Sequence, residues 1–282
     1  MLARANCLGR RETITLTTEN WIDIVGHTAT WVSVLIVYFT LREMSVQRKQ
    51  SYKPHIIILR RYFFGYNKKY GEYFIPDLWS GSQLRKEQIS QIERSEVYLE
   101  AINVGLGAAK EIDLEWKFDH NKTIKEINGI YSSKSIPISL DLSMSGLLTL
   151  NIKDTYTSML MLSNNLKDSH DYLSPVSIDK EKLRIKIPWA IQIIMSLWVH
   201  ALLSLSQEEI SSHDWNKKEF ELIIKYKDIG EVIHTTLFKV AMNLIVLQRA
   251  LEEGIEAFSF EMEPTKVSKN QFQQIAFGFY KQ

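Results

Sequence analysis

The residues that could do chemistry are few, and their spacing does not favour catalysis. Gly105-Leu106-Gly107-Ala108-Ala109-Lys110 is the one glycine-rich loop and has the outline of a phosphate cradle. A cradle needs a helix N-terminus directly after the glycines, or a Ser or Thr after the lysine. Here Glu111 follows the lysine and Glu111 to Asp119 alternates as a strand, so the loop reads as a tight strand connection. The seven histidines are His27, His55, His120, His170, His200, His213 and His234, and no two stand three or four apart on one helix face, so no metal site is expected. His213 and Asp214 are neighbours in sequence, and adjacent side chains do not point at one another. His200, inside an apolar run, reads as a satisfied core histidine, or as a proton relay if that run crosses a membrane. No serine occupies a G-x-S-x-G elbow, and Cys7, the only cysteine, has no partnering base. No cofactor is expected, and the chain reads as non-enzymatic.

The element that must position everything else is the apolar run Trp21 to Leu41. As a helix it reaches about 31 Å, against roughly 30 Å of bilayer hydrocarbon. Its aliphatic and aromatic residues give an insertion gain of roughly 3 to 6 kcal/mol, which Asp23 and His27 oppose only near one end. One transmembrane helix is therefore predicted over 21–41, after a short exterior N-terminus at 1–20. Asp23, Gly26, Thr30, Ser33, Val37 and Thr40 recur at alternating steps of three and four, so small and polar groups form one seam. Such a seam lets helices approach closely in lipid, and the expected partner is a second copy or another membrane protein.

Charge is arranged around this helix. The chain has 282 residues and a formal net charge of +1. Arg42 to Lys69 nevertheless carries eight Lys/Arg against Glu43 alone. A basic flank is the positive-inside signal, which puts the N-terminus outside and the rest in the cytoplasm. It is also attractive to acidic lipid headgroups, with Arg42, Arg48, Lys49, Lys53, Arg60 and Arg61 as the expected contacts. The run Arg60 to Lys69, basic and aromatic, has the look of a nucleic-acid surface, but the nearby bilayer makes headgroups the nearer anion and nucleic acid an unlikely partner. A lone cysteine agrees with a reducing compartment.

Residues 42–53 are predicted as a basic juxtamembrane helix or linker ending at Tyr52-Lys53-Pro54, and 54–264 as one β-dominated domain. His55 to Phe64 reads as a buried first strand, and Phe63 to Gly81 as loops or short edge strands. Val97 to Ile102 and Glu111 to Asp119 alternate with period two, the mark of half-buried antiparallel strands. Shorter strands are expected at 136–142, 147–152 and 183–187. Pro188 to Ser206 is a second apolar helix with a polar stripe, Gln192, Ser196, His200 and Ser204; it is open to two readings, a buried or interfacial helix and a second span. Glu219 to Val240 is a hairpin around Asp228-Ile229-Gly230. Ala241 to Glu253 has helical spacing and stops at Gly254, Phe258 to Met262 is a last strand before Pro264, and 265–282 is an apolar tail.

Three short sequences stand in order behind one span and a basic stretch: Ser51-Tyr52-Lys53-Pro54, Asn103-Val104-Gly105-Leu106-Gly107-Ala108-Ala109 between two strands, and Tyr226-Lys227-Asp228-Ile229-Gly230 in a hairpin. In this the chain resembles a loose group of uncharacterised bacterial single-pass membrane proteins with a cytoplasmic β-sandwich-like domain. The resemblance implies a mainly β fold with helices, sandwich-like (Ig-like), at a bacterial inner membrane, and it carries over no activity. The expected role is an interaction, sensor or effector module, with an accessory subunit of a transport or envelope complex as the alternative. Placement in a stress or phage-defence system is an association that no residue carries.

Overall fold

No proline interrupts the chain between Thr18 and Ser51, and a single helix, α1 (Thr18–Ser51), runs through both the apolar stretch and the basic flank until Pro54 forbids its continuation. The structure is a computed structural model describing residues 18–70, 72–89, 97–153, 156–161, 166–206, 217–248 and 252–268. Val25–Arg48 of α1 is long and apolar enough to cross a bilayer, with mean hydropathy 1.2 and none of it buried. This helix belongs to one compact unit, Met1–Ser51, and the remainder, Tyr52–Gln282, forms a second.

The second unit is built from period-two sequence, and the whole chain is mainly β, with 46% strand and 27% helix. Seven strands, β2 (Arg61–Tyr70), β3 (Tyr73–Ser80), β5 (Ala109–Lys117), β9 (Lys167–Leu173), β11 (Lys217–Lys227), β12 (Ile233–Leu247) and β13 (Glu256–Lys266), form an antiparallel, curled sheet. Their order across it is β3-β2-β13-β12-β11-β5-β9. A three-stranded sheet joins β1 (Ile56–Ile58), β4 (Tyr98–Asn103) and β10 (Leu183–Lys186), and another joins β6 (Ile138–Leu142), β7 (Leu147–Ile152) and β8 (Tyr156–Met161). Alternation buries Ile112, Leu114 and Trp116 from β5 and Phe220, Leu222 and Ile224 from β11, while Glu111, Asp113 and Lys117 stay in solvent. All three sheets contribute to one hydrophobic core.

Three helices complete this unit: α2 (Lys86–Ile89), α3 (His120–Ser133) and α4 (Trp189–Leu203). Asp119 caps α3 by accepting from the Lys122 N–H, and Asn128 fastens β6 to it through two bonds to the Leu140 backbone. Twelve of the fifteen residues of α4 are buried. Most of its polar stripe finds a partner, while the buried Gln192 Oε1 has none among the described residues. Gln192 Nε2 donates to the Ile187 carbonyl at 2.8 Å, Ser196 Oγ accepts from Trp79 Nε1 at 2.9 Å, and His200 Nδ1 lies 2.9 Å from the Tyr131 hydroxyl. Ser204 donates to the Ala201 carbonyl.

Several elements differ from expectation. The predicted strand His55 to Phe64 breaks at Leu59–Arg60 into β1 and β2, which lie in different sheets. Phe63 to Gly81, read as loops or short edge strands, is most of a β2–β3 hairpin at one edge of the large sheet, with strands of ten and eight residues. The predicted helix from Ala241 is strand as far as Leu247, pairing Met242 with Met262 and Leu244 with Phe260. A bulge between Leu244 and Val246 shifts the inward phase by one residue, and a phase slip in a strand mimics the three-and-four spacing of a helix. Gly254 does adopt a left-handed conformation, φ 75°. The last strand runs through Pro264, which a ladder tolerates there because pairing with β2 stops at Met262. Cys7, His213, Asp214 and the tail from 269 lie outside the described residues.

Candidate functional site

The three short sequences quoted above, far apart in the chain, converge on the segment Tyr52–Pro54. Asn103, 1% exposed at the end of β4, is the hub. Its Oδ1 accepts from the His55 N–H at 2.9 Å and the Gly105 N–H at 3.0 Å, and its Nδ2 donates to the Gly107 carbonyl at 2.7 Å and the Leu173 carbonyl at 3.4 Å. A buried amide with both ends occupied is stabilised where it sits and costly to replace. The glycines serve the same contact. A Cβ on Gly105 would lie 2.3 Å from the Lys53 carbonyl oxygen, and one on Gly107 would lie 1.7 Å from that of Tyr52. Close approach of two backbones, rather than phosphate, is what these glycines permit. The strand β5 follows them directly, as the spacing requires.

The third sequence closes the joint from the other side. Tyr226 donates its hydroxyl proton to the Pro54 carbonyl at 3.2 Å. His234, opposite Tyr226 in the ladder, stacks on that ring at 5.3 Å and meets Asp228 Oδ2 through Nε2 at 2.8 Å. Asp228 Oδ1 accepts from the Val232 N–H at 2.9 Å and so shapes the turn. Burial works to raise the Asp228 carboxyl, but the hydrogen bonds from His234 and from the Val232 N–H outweigh it and hold it below the usual carboxylate range. The Asp–His contact was not legible as a pair because it bridges a turn across six residues. Among the described residues no hydroxyl or thiol is hydrogen-bonded to it, and its geometry is that of a brace. Lys110 to Glu231 at 2.6 Å and Lys227 to Glu111 tie the hairpin tip to the start of β5. Both glutamates are left-handed, φ 61° and 47°.

The cations expected to meet headgroups fall into separate environments. Arg42 and Arg48 are exposed on α1, and Lys53 is exposed in the second unit. Lys49 lies in α1, but its side chain is outside the described residues. Arg60 pairs with Glu261 and Glu263. Arg61 pairs with Glu100 at 3.4 Å, and its guanidinium lies 4.5 Å from the Tyr98 ring centre, with Arg184 at 4.8 Å from the same ring. A hydrogen bond from Lys182, ahead of the nearby guanidinium charges, holds Glu100 below its usual range against the effect of burial. Around Tyr52–Pro54 it is Lys53, His55 and Lys266 that crowd together. Burial first, then Lys266 and Lys53, lower the His55 imidazole; burial and then Lys53 lower the Lys266 amine.

Of the expected seam, Gly26, Thr30, Ser33, Val37 and Thr40 are exposed on α1, and the Asp23 side chain lies outside the described residues. The hydroxyls of Thr30, Ser33 and Thr40 donate to the carbonyls of Gly26, Ala29 and Ile36 at 2.8 to 2.9 Å, within their own helix. Elsewhere, an open groove of about 1010 Å³ beside β5 and β11 is lined by acids and bases alike, including Glu115, Lys117, Asp119, Glu219 and Lys239. Segments 162–165 and 207–216, next in sequence to β9 and β11, lie outside the described residues. Among the described residues no group of three His, Cys, Asp or Glu could hold a metal ion. No family model, curated protein or solved structure matches the chain.

Proposed function

We propose that this chain is a single-pass protein of a bacterial inner membrane, N-terminus outside, whose cytoplasmic second unit works by binding as an interaction, sensor or effector module. The observation that carries the reading is α1: from Val25 to Arg48 its apolar side chains have no cover from the protein, while the second unit buries its own. An uncovered stretch of this size is costly in water and favourable in lipid. The common core of the seven-stranded sheet and the β1-β4-β10 sheet supports a sandwich-like, Ig-like description of the second unit. The hydrogen-bonded hub at Asn103, which holds several loops of the second unit in one arrangement, supports a binding module. Reporter fusions after Gln50 and Gln282, both active in the cytoplasm, with the protein resisting alkaline extraction from membranes, are the expected result. A Gln282 reporter active only outside, or release by alkali, overturns it.

One observation favours the accessory-subunit alternative. Nothing lies within 4 Å of a Cβ placed on Gly26, so the seam is open to a neighbouring helix. Recovery of a stoichiometric partner in mild detergent would select that reading, and a lone oligomer would select the first.

A further inference from the structure

We propose that the end of the second unit where the chain arrives from α1 is a docking surface for a bilayer rich in acidic headgroups. This deepens the reading above and rests on α1 being a span. Three loops are drawn around Tyr52 by contacts already described or by their neighbours. The β4–β5 loop packs its glycines on Tyr52 and Lys53. The segment after β9 is held to the same hub, since the Val176 N–H donates to the Asn103 carbonyl at 2.8 Å and Tyr172 pairs with Lys110. The β11–β12 tip is tied in by Lys110 to Glu231 and by Tyr226 to Pro54.

Each of these loops presents a large apolar side chain to solvent. Leu106 is 55% exposed, Ile178 77%, Ile229 59% and Ile233 67%, and Tyr52 and Tyr172 are each 56% exposed. Single exposed apolar residues are ordinary, but several converging on one end mark an interaction surface. Lys53 and Lys266, which flank Tyr52, have no carboxylate in ion-pair reach among the described residues, and Glu111, Glu231 and Asp228 are taken by Lys227, Lys110 and His234; Asp171 and Asp179, beside Tyr172 and Ile178, are exposed acids of the same end. Apolar and aromatic tips with unneutralised lysines match an acidic membrane interface, where tips enter the headgroup layer and lysines meet phosphates. Chain continuity keeps a bilayer within reach: Tyr52 comes four residues after Arg48, where the apolar stretch of α1 ends.

The test uses the full chain with Cys7→Ser, single cysteines carrying an environment-sensitive fluorophore, and nanodiscs of phosphatidylcholine with or without phosphatidylglycerol. Quenching by headgroup- or acyl-spin-labelled lipid reads depth. Labels at Leu106→Cys and Ile229→Cys are expected to be quenched in acidic discs, while one at Met144→Cys, fully exposed in the β6–β7 turn, is not. Lys53→Gln with Lys266→Gln, or high salt, should lower the docked-to-free ratio by about tenfold. Unquenched Leu106 and Ile229 labels alongside a quenched Val34→Cys label would overturn docking and leave the anchor standing. An unquenched Val34 label overturns both. Equal quenching in neutral discs removes the role of acidic headgroups, and contact between Leu106 labels without lipid quenching gives the surface to a second copy; each overturns the proposal.

Discussion

Two apolar helices, α1 and α4, each carry a polar stripe, and they resolve it in opposite ways. On α1, Thr30, Ser33 and Thr40 turn their hydroxyls back onto carbonyls one turn earlier, and every described side chain from Val25 to Arg48 is exposed. On α4, Gln192, Ser196 and His200 reach the Ile187 carbonyl, the Trp79 indole and the Tyr131 hydroxyl. A helix bound for hydrocarbon must satisfy its polar groups without help, because lipid supplies no donor or acceptor. A core helix can spend the same groups on fixing its neighbours. Polar composition therefore separates the two helices less well than the identity of the partners does.

The largest expected effect comes from shortening an apolar side chain on each helix. Leu197→Ala on α4, at a fully buried position, should lower the stability of the second unit by about 3 to 5 kcal/mol, while Leu35→Ala on α1 should leave its melting temperature unchanged. Thermal melts of the detergent-solubilised chain decide this, and equal losses would make α1 a core helix.

Next comes pH. Burial pushes Asp77 up to about 6, although the Tyr70 hydroxyl donates to it and Lys68 lies near; one of its carboxylate oxygens has no partner among the described residues. Its folded pKa lies above the unfolded one, so the stability it contributes is present below about 4 and lost as pH rises through 6. Burial lowers His200 to about 4, so its contribution is present above 6.5 and lost as pH falls through 4. Each is worth up to about 3 kcal/mol, and between pH 4 and 6 they oppose one another. Asp77→Asn should raise stability at pH 7 and steepen the acid loss, while His200→Gln should flatten that loss. A His200→Gln protein with an unchanged acid limb would contradict the buried, neutral imidazole.

Smaller again is Ser196→Ala, which removes the hydroxyl that accepts from the buried Trp79 indole at a cost of about 1 to 2 kcal/mol. Thr30→Ala on α1 should cost the second unit nothing. The smallest effect is Gly26→Ile with Ser33→Ile, which should reduce self-association in a membrane two-hybrid assay, or strip away a partner, by roughly 0.5 to 2 kcal/mol per contact. Val32→Leu with Ile36→Leu is the control, and identical signals from both pairs would reduce the seam to composition.

Long elements with a clean period were legible. α1 was readable from length and apolar content, β5 and the β11–β12 hairpin from strict alternation, and the glycine loop as a strand connection from the strand that follows it. What escaped reading depends on contacts distant in sequence. The bulge at Leu244–Val246 turned a strand into an apparent helix, and the bend at Leu59–Arg60 let one apolar run serve two sheets. The helix α3 is not legible because its apolar face, Ile124, Ile127 and Tyr131, is short and set among polar residues. At the candidate site, the glycines and Tyr226 each mark only their own turn in the sequence. No local pattern reveals that Asn103 and Pro54 are where they meet, since hydrogen bonds spanning 48 and 172 residues leave no periodic trace.

The junction at Tyr52 also has a mechanical meaning. The last residue of α1 is Ser51, and the very next carbonyl already lies against Gly107. A flexible tether of ten residues would let its load wander over roughly 16 to 19 Å. In the second unit no such slack precedes the fold: its first residue, Tyr52, is already packed on Gly107 of the β4–β5 loop, and its third, Pro54, accepts from Tyr226 of the hairpin.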